Sequence, residues 1–370
     1  MSATAAPPTI SAGALLDRLV AGAPVTLLDI RSDAAWTIEA EGARSVHVPA
    51  DEARERAGSL AGELAGEIVV VCNRGLTAGG VAQALRDAGA DAVVLEGGMR
   101  GWIGALRAVP VDLGVAGLEV RQVQRPGRGC LSYVVAAGGR ALVVDPAPDA
   151  AFYADLAREL GAAVTDVVDT HIHADHLSGA RDLAARTGAT LRLPAPALER
   201  GVTYDVAPLH DGDVLALGDV GVRALALPGH TTDMTGLVVA GRALIGGDSL
   251  FADGIARPDL QRGDADGARA MARLLHATLH DRVLALGDDV VLLPCHDHPV
   301  VRAGAVAPTL GEVRARVREL ALDDPDRFAD EVLAAMPPRP ANYEAVIAVN
   351  SGLRPFDPDL ETGGNSCATR

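Results

Sequence analysis

The segment Thr170–His176 (THIHADH) carries the densest group of metal-binding side chains in the chain. Three of the ten histidines fall within six residues, directly after a predicted buried strand. His171 and His173 share one side of an extended segment, because side chains repeat every two residues along it. Asp175 and His176 open the following turn and helix. Imidazole and carboxylate together suit iron or zinc, so the segment predicts a metal site.

Three more candidate ligands follow apolar runs at loop positions. His230 lies in the segment PGHTT, Asp248 follows the run Ile245–Gly247, and His296 follows the run that begins at Val291. Four predicted strand ends therefore each present a histidine or an aspartate. This arrangement predicts that the side chains converge on one pocket.

A thiol occupies a similar position in the first third of the chain. Cys72 follows the apolar run Ile68–Val71, precedes the loop Asn73–Thr77, and is followed by a predicted helix from Ala78. A helix N-terminus presents unpaired N–H groups and a partial positive charge, both of which favour a thiolate. Arg74 adds a nearby cation. The same spacing is also compatible with a small buried cysteine at the end of a strand.

The composition excludes several other chemistries. All 33 basic residues are arginine, so lysine-dependent phosphate loops, Schiff-base enzymes and Ser-x-x-Lys hydrolases are excluded. The net charge of -16 disfavours nucleic acid and anionic membranes as partners. An aromatic content of 3% argues against a protein that stacks the bases of single strands.

The cysteines and the termini predict a cytoplasmic location. The four cysteines, Cys72, Cys130, Cys295 and Cys367, lie far apart and form no CxxC pair, as expected in a reducing compartment. Residues 1–8 show no targeting signal, and no apolar stretch approaches the roughly 20 residues of a membrane-spanning helix. The sequence is compatible with a homo-oligomer.

The elements that must position these side chains form two α/β stretches and a helical end. Strand-like runs alternate with helical patterns over residues 1–110, which predicts a mainly parallel sheet. Residues 115–310 form the second domain, and residues 311–370 are predicted as a helical extension and tail. Near the start of the second domain, Arg121–Gly129 has Gly, Pro and Arg without apolar periodicity, which predicts a linker or loop.

The first domain resembles the rhodanese family. The resemblance rests on Asp29–Arg31, Val46–Pro49, Cys72–Thr77 and Leu95–Trp102, which follow the family's order. It implies that Cys72 carries a persulfide sulfur, cradled by the backbone N–H groups of residues 73–77, and that the domain transfers sulfur. Asn73 and Thr77 stand where rhodaneses often have arginine, which makes thiosulfate a less expected donor.

Residues 115–310 resemble the metallo-β-lactamase superfamily. The matching features are the HxHxDH motif, the later His230, the segment Gly247–Phe251 (GDSLF) and the last His296. The resemblance implies an αββα sandwich with the metal at one edge. Two branches of the superfamily fit the ligands.

In persulfide dioxygenases, one Fe(II) is held by two histidines and an aspartate, here His171, His230 and Asp248. His173, Asp175, His176 and His296 then surround the iron or form a second, empty metal site. In zinc hydrolases of glyoxalase II type, two zincs are bound instead. His171, His173 and His230 then bind one zinc, Asp175, His176 and His296 bind the second, and Asp248 bridges the two.

The segment Gly247–Gln261 (GDSLFADGIARPDLQ) resembles the persulfide dioxygenase branch, in particular at Arg257 and Asp259. The resemblance implies oxidation of glutathione persulfide, or an equivalent thiol persulfide, by O₂ to sulfite and free thiol. Arg257 would hold a substrate carboxylate, or would form an ion pair with Asp259 or Asp253. Arg74 is the second candidate substrate-binding cation. A sulfur carrier or persulfide sensor without catalysis is the other alternative.

The tail Pro337–Ile347 (PPRPANYEAVI) resembles the tails of similar two-domain proteins. No chemistry can be assigned to it from its residue types.

Overall fold

The computed structural model describes residues 6–33, 37–262, 264–361 and 368–369. Its contacts divide the chain into two compact units. The first comprises residues 1–107, 125–129 and 298–304, and the second comprises residues 108–124, 130–297 and 305–370. Among the described residues, no helix is long and apolar enough to cross a membrane. Cys367 lies outside the described residues.

The first unit contains a five-stranded sheet in which all neighbouring strands are parallel. In sheet order the strands are Thr9–Ile10, Ala92–Leu95, Glu67–Val71, Val25–Asp29 and Arg44–His47. Separate apolar clusters cover its two faces, which explains why the inner strands are almost continuously apolar. The helices are Ala12–Val20, Ala50–Glu55, Ala57–Glu63, Ala78–Asp87 and Gly98–Ile103. The short strands Glu39–Ala40 and Val300–Val301 also pair within this unit.

The second unit contains two sheets that share a core. Tyr133 and Val144 of one sheet pack in the same apolar cluster as Leu237 and Ile245 of the other. The first sheet has seven strands, in the order Ala207–Leu209, Thr190–Pro194, Ala163–Val168, Arg140–Val144, Cys130–Ala137, Leu118–Arg125 and Arg107–Val111. The second has five, in the order Val214–Leu217, Val220–Ala226, Thr235–Val239, Ala243–Gly247 and Val291–Pro294.

Helices cover the outer faces of both sheets. Ala150–Glu159 and Ala180–Thr187 contact the seven-stranded sheet. Ala265–Thr278 and Pro325–Ala334 pack on the five-stranded sheet, where Leu244 faces them because side chains alternate along a strand. The predicted α/β class, a parallel sheet followed by an αββα sandwich, is confirmed.

The remaining elements are short. Two α-helices, Leu310–Arg316 and Tyr343–Asn350, lie near the C-terminal end, and the strands Ile255–Ala256 and Ala368–Thr369 pair antiparallel. The other helical turns are Ala195–Arg200, Leu279–Val283, Leu284–Leu286, Arg318–Ala321 and Pro358–Glu361.

The prediction of a linker at residues 121–129 is wrong for its first half, because Leu118–Arg125 is a strand of the seven-stranded sheet. Polar residues interrupt the apolar pattern there, yet their side chains are buried and hydrogen-bonded. Gln122 donates from Nε2 to the Val306 carbonyl at 2.8 Å and to the Tyr133 hydroxyl at 3.2 Å. Sequence periodicity does not detect a buried polar residue whose partners are distant in the chain.

Candidate metal centre

Three of the predicted ligands, His171, His230 and Asp248, come together at one edge of the sandwich and are completely buried. Asp248 Oδ2 lies 3.8 Å from His171 Nε2 and 3.7 Å from His230 Nε2. A metal binds such ligand atoms at about 2.0–2.2 Å, so two ligands of one ion lie no more than about 4.4 Å apart. The three side chains therefore have the spacing of ligands to a single ion.

Hydrogen bonds at the Nδ1 atoms orient both imidazoles. His230 Nδ1 donates to the Arg257 carbonyl at 2.8 Å. His171 Nδ1 lies 3.1 Å from the Thr170 hydroxyl, which itself donates to Asp145 Oδ2 at 3.0 Å. Since that hydroxyl proton is engaged, His171 Nδ1 is the donor. Each Nε2 atom thus keeps its lone pair toward Asp248, as in histidines that bind metals.

The polar atoms that face this position fit a metal ion. Within the described residues, His171 Nε2, His230 Nε2 and Asp248 Oδ2 are buried without a hydrogen-bond partner. Such orphaned atoms are rare in native proteins unless an ion or ligand satisfies them. Burial and the neighbouring His173 hold the pKa of His171 well below its usual range, so it is a neutral ligand. Burial opposes ionisation of Asp248, but His296 and His171 lower its pKa, so it is a carboxylate.

Strand ends deliver these side chains, as predicted. His171 lies in the loop after Ala163–Val168, and His230 follows Val220–Ala226. Asp248 follows Ala243–Gly247, whose last residue has φ +51°. A Cβ on Gly247 would lie 2.9 Å from Thr170 Oγ1, so glycine permits the close approach of the loop that carries His171.

His173 does not belong to the same group of side chains. Its Nε2 donates to Asp145 Oδ1 at 3.0 Å, and Asp169 Oδ1 lies 3.9 Å away. These three side chains form a separate buried cluster. The Nδ1 atom of His173 is buried without a hydrogen-bond partner among the described residues.

The other candidate ligands form a second cluster beside Asp248. His296 Nε2 lies 3.2 Å from Asp175 Oδ2 and 3.3 Å from Asp248 Oδ1. His176 Nδ1 donates to Asp175 Oδ1 at 3.0 Å. The structure therefore brings all seven predicted residues to one edge, but divides them into adjoining clusters.

Cys130 joins this second cluster, a position that its sequence surroundings do not predict. Its ligand atom lies within 4.8 Å of those of Asp175, His176 and His296. Burial opposes ionisation, but His176 and His296 lower the pKa of the Cys130 thiol to about 6. The backbone bridge between Cys130 and His296 brings them together, and no local pattern signals this pairing.

Arg257 does not present a free guanidinium to a substrate. It is completely buried, and its Nε and one terminal nitrogen donate to Asp259 at 2.8 and 3.1 Å. Its terminal nitrogens also donate to the Pro337 and Pro338 carbonyls, at 2.9 and 3.3 Å. The structure contradicts the predicted carboxylate anchor: the guanidinium holds the C-terminal segment against the loop that orients His230.

In the first unit, the predicted loop wraps around Cys72. The Gly75 amide donates to Cys72 Sγ at 3.1 Å, and the Thr77 hydroxyl and the amides of Thr77 and Ala78 lie around the thiol. Burial opposes ionisation, but these hydrogen bonds lower the pKa of Cys72. A Cβ on Gly98 (φ +58°) would lie 2.0 Å from the Cys72 carbonyl, so glycine is required where the next loop supports this one.

Arg74 is exposed on the loop Asn73–Thr77, which wraps around Cys72. Its position is compatible with the predicted contact to an anionic substrate, which stays a prediction.

Comparison with known proteins places both units in families. A model of the rhodanese-like domain matches residues 11–105, and a model of the metallo-beta-lactamase superfamily matches residues 125–296. A hydroxyacylglutathione hydrolase of Acidiphilium cryptum is 34% identical over 213 residues, which cover 55% of this chain and 83% of that protein. The mitochondrial persulfide dioxygenase ETHE1 of Homo sapiens is 29% identical over 194 residues, which cover 50% of this chain and 70% of that protein.

A solved structure shows the same fold. The crystal structure of ETHE1 from Myxococcus xanthus superposes with a TM-score of 0.55 at 25% identity, covering 63% of this chain and 98% of that one. The clusters described above supply the histidine and aspartate side chains expected at the metal-binding site of this fold. The chain belongs to the metallo-beta-lactamase superfamily of enzymes, and it carries a rhodanese-like domain before its metal-binding domain.

Proposed function

We propose that the protein is a persulfide dioxygenase that uses one Fe(II) held by His171, His230 and Asp248. The reaction is RSSH + O₂ + H₂O → RSH + SO₃²⁻ + 2H⁺, in which the terminal sulfur is oxidised and O₂ is reduced. Glutathione persulfide, or an equivalent low-molecular-weight thiol persulfide, is the proposed substrate. We also propose that the protein acts in the cytoplasm.

The separation of the ligand clusters carries this proposal. Two histidines and one carboxylate form a compact set, whereas His173 groups with Asp145 and Asp169 in a separate buried cluster. A set of two histidines and one carboxylate is typical of non-haem Fe(II) oxygenases, because it leaves coordination positions open for both substrates. Bound iron would supply O₂ activation and would bind the persulfide sulfur. The similarity to the ETHE1 persulfide dioxygenases supports the same choice.

The chain's own residues have distinct parts in this scheme. The Arg257 carbonyl and the Thr170 hydroxyl keep the two imidazoles in the tautomer that binds metal. His171 stays neutral and Asp248 stays ionised, so the site offers one negative charge to Fe(II). In the rhodanese-like domain, the Cys72 thiolate would accept or donate a sulfane sulfur.

A zinc thioester hydrolase is the second candidate. Two observations favour it: the cluster of Asp175, His176 and His296 adjoins Asp248, and His173 keeps one orphaned nitrogen. The similarity to hydroxyacylglutathione hydrolases is as close as that to the dioxygenases.

The decisive experiment measures both reactions on the same preparation. Protein loaded with Fe(II) is given glutathione persulfide, and O₂ consumption and sulfite are recorded. Protein loaded with Zn(II) is given a glutathione thioester, and its hydrolysis is followed. We expect one sulfite per O₂ with about one iron per chain, and no thioester hydrolysis. Hydrolysis with two zincs per chain and no O₂ uptake would establish the second candidate.

A further inference from the structure

We propose that Asn350 is a positioning residue for the metal centre, because its amide fixes the backbone of the loop that carries His171, Asp175 and His176. The inference concerns the metal-binding site of the family. It does not depend on whether that site oxidises persulfides or hydrolyses thioesters.

The loop has no regular secondary structure of its own. Residues 169–179, the metal loop, connect the strand Ala163–Val168 to the helix Ala180–Thr187 and contain most of the candidate ligands. Buried backbone groups outside helices and sheets need other partners. Here side chains supply them: the amides of Thr170, Ile172, Leu177 and Ser178 donate to Asp145, Asp233, Glu361 and Asn350, respectively.

Asn350 makes three of the loop's backbone contacts through one planar group. Its Nδ2 donates to the carbonyls of His173 and His176, both at 2.9 Å. Its Oδ1 accepts a hydrogen bond from the Ser178 amide at 3.0 Å. The side chain uses both of its donor hydrogens and its acceptor in this way, and it is buried. One amide thus sets the relative positions of three peptide groups in the metal loop.

The surrounding structure holds Asn350 rigidly. It is the last residue of the helix Tyr343–Asn350, and its carbonyl accepts a hydrogen bond from the Tyr204 hydroxyl at 2.9 Å. Val346 and Val349 of this helix pack against Leu177 of the loop. The helix therefore cannot move away from the loop without losing buried apolar contact.

The residues that follow Asn350 add a further contact. Glu361 Oε1 accepts a hydrogen bond from the Leu177 amide at 3.0 Å. The C-terminal segment, residues 337–361, therefore holds the metal loop at Asn350 and at Glu361. Within the tail motif Pro337–Ile347, to which the sequence assigned no chemistry, Val346 packs against Leu177 of the loop.

The physical consequence is a preorganised metal site. If the loop relaxes, His171, Asp175 and His176 shift relative to Asp248, and ordering them again opposes metal binding. Partners that orient the ligands of a metal typically contribute about 10–100-fold to its affinity.

The test uses Asn350→Asp, which keeps the volume and the acceptor for the Ser178 amide but removes the donor to both carbonyls. The matched control is Ser351→Ala, at the next position. Ser351 is completely buried, and its hydroxyl has no hydrogen-bond partner among the described residues. Co(II) is the probe metal, because its visible absorption reports both its affinity and its coordination geometry. Glu361→Ala is the second variant, and thermal unfolding of each metal-free variant reports folding.

We expect Asn350→Asp to bind Co(II) about 10–100-fold more weakly than wild type, with an altered visible spectrum. Ser351→Ala should match wild type in both. If Asn350→Asp does not fold, Glu361→Ala decides, with weaker binding and an altered spectrum expected. Wild-type affinity and spectrum in the folded variant would overturn the proposal, as would an equal loss in Ser351→Ala. Absence of O₂ uptake in the wild-type iron protein would instead contradict the proposed function alone.

Discussion

In each histidine of the metal centre, the hydrogen bond at one ring nitrogen determines which nitrogen keeps a lone pair for a metal. His230 and His171 are held at Nδ1, so their Nε2 atoms face Asp248. His173 donates its Nε2 proton to Asp145, although it lies only two positions after His171. Two histidines of one motif thus keep different ring nitrogens without a hydrogen-bond partner, Nε2 in His171 and Nδ1 in His173.

At the residue scale, Asp248→Asn tests the proposed ligand set. An amide removes the negative charge from the ion, so we expect bound metal to fall at least about tenfold. Elemental analysis after equilibration in the same metal buffer measures the change. His210→Asn, which alters an exposed histidine of the same unit, is the control and should keep the wild-type metal content. Full metal content in Asp248→Asn would contradict the assignment.

The Cys72 thiol provides a second test at this scale. Burial opposes its ionisation, but the hydrogen bonds of the Thr77 hydroxyl and the loop amides lower its pKa, so its thiolate forms at lower pH than that of an ordinary cysteine. The rate of alkylation should rise with pH through this lowered pKa and then level off. Thr77→Val should move the rise to higher pH, whereas Thr77→Ser should not.

Peptide mass spectrometry separates Cys72 from the other cysteines in this experiment. Identical pH profiles for wild type and Thr77→Val would show that the hydroxyl does not stabilise the thiolate.

At the element scale, the turn that ends the strand Ala243–Gly247 sets the position of Asp248. Gly247 has φ +51°, and a Cβ there would lie 2.9 Å from Thr170 Oγ1 and still closer to Met234. Gly241 also has a positive φ, +66°, but a Cβ there would meet open space. Alanine variants at the two positions therefore distinguish backbone strain, which both share, from steric clash, which only Gly247 would have.

Gly247→Ala should lower the free energy of unfolding by about 1–3 kcal/mol more than Gly241→Ala, because only the former adds overpacking to the strain of φ. Urea denaturation of both variants measures the difference, and metal content should fall only in Gly247→Ala. Equal losses in the free energy of unfolding would mean that the side chains near Met234 rearrange around the added Cβ without destabilising the core.

Arg257 connects two further elements, the loop after Ile255–Ala256 and the segment that begins at Pro337. Arg257→Met leaves Asp259 buried with fewer partners, and we expect a loss of about 3 kcal/mol in the free energy of unfolding. A carboxylate anchor would instead raise KM at unchanged stability. Arg314→Met, which breaks an exposed ion pair with Asp288, is the control and should change stability by less than about 1 kcal/mol.

At the scale of the whole molecule, the chain combines a rhodanese-like domain with a metallo-beta-lactamase domain, and each has its own candidate site. We expect Cys72→Ser to abolish sulfur transfer while O₂-dependent sulfite formation from glutathione persulfide continues. Asp248→Asn should show the opposite pattern. Trapping of the Cys72 persulfide by mass spectrometry and an oxygen electrode measure the two activities. Loss of both activities in either single variant would show that they cannot be separated.

Much of the fold could be predicted, because local pattern reports it. Strand-like runs that alternate with helical patterns predicted the parallel sheet of the first unit. The strand Leu118–Arg125 was missed because its buried glutamines resemble a polar loop.

The candidate site divides in the same way. The residue types and strand-end positions of His171, His230 and Asp248 were visible in the sequence, since a strand delivers its following residue to the sheet edge. For Arg257 the sequence predicted either a contact with a substrate carboxylate or an ion pair with Asp259 or Asp253. The structure shows the ion pair with Asp259, whereas the further partners at Pro337 and Pro338 lie about eighty positions away and leave no local signal.

The sequence by itself determined which side chains stand at the strand ends and that their chemistry suits a metal and a reactive thiol. Only the tertiary structure decided that His173 donates to Asp145, that Cys130 joins His176 and His296, and that Asn350 holds the metal loop. The Asn350 amide and the His173 carbonyl are 177 positions apart in the chain. Contacts of that kind depend on how packed elements meet, and no local spacing of residues encodes them.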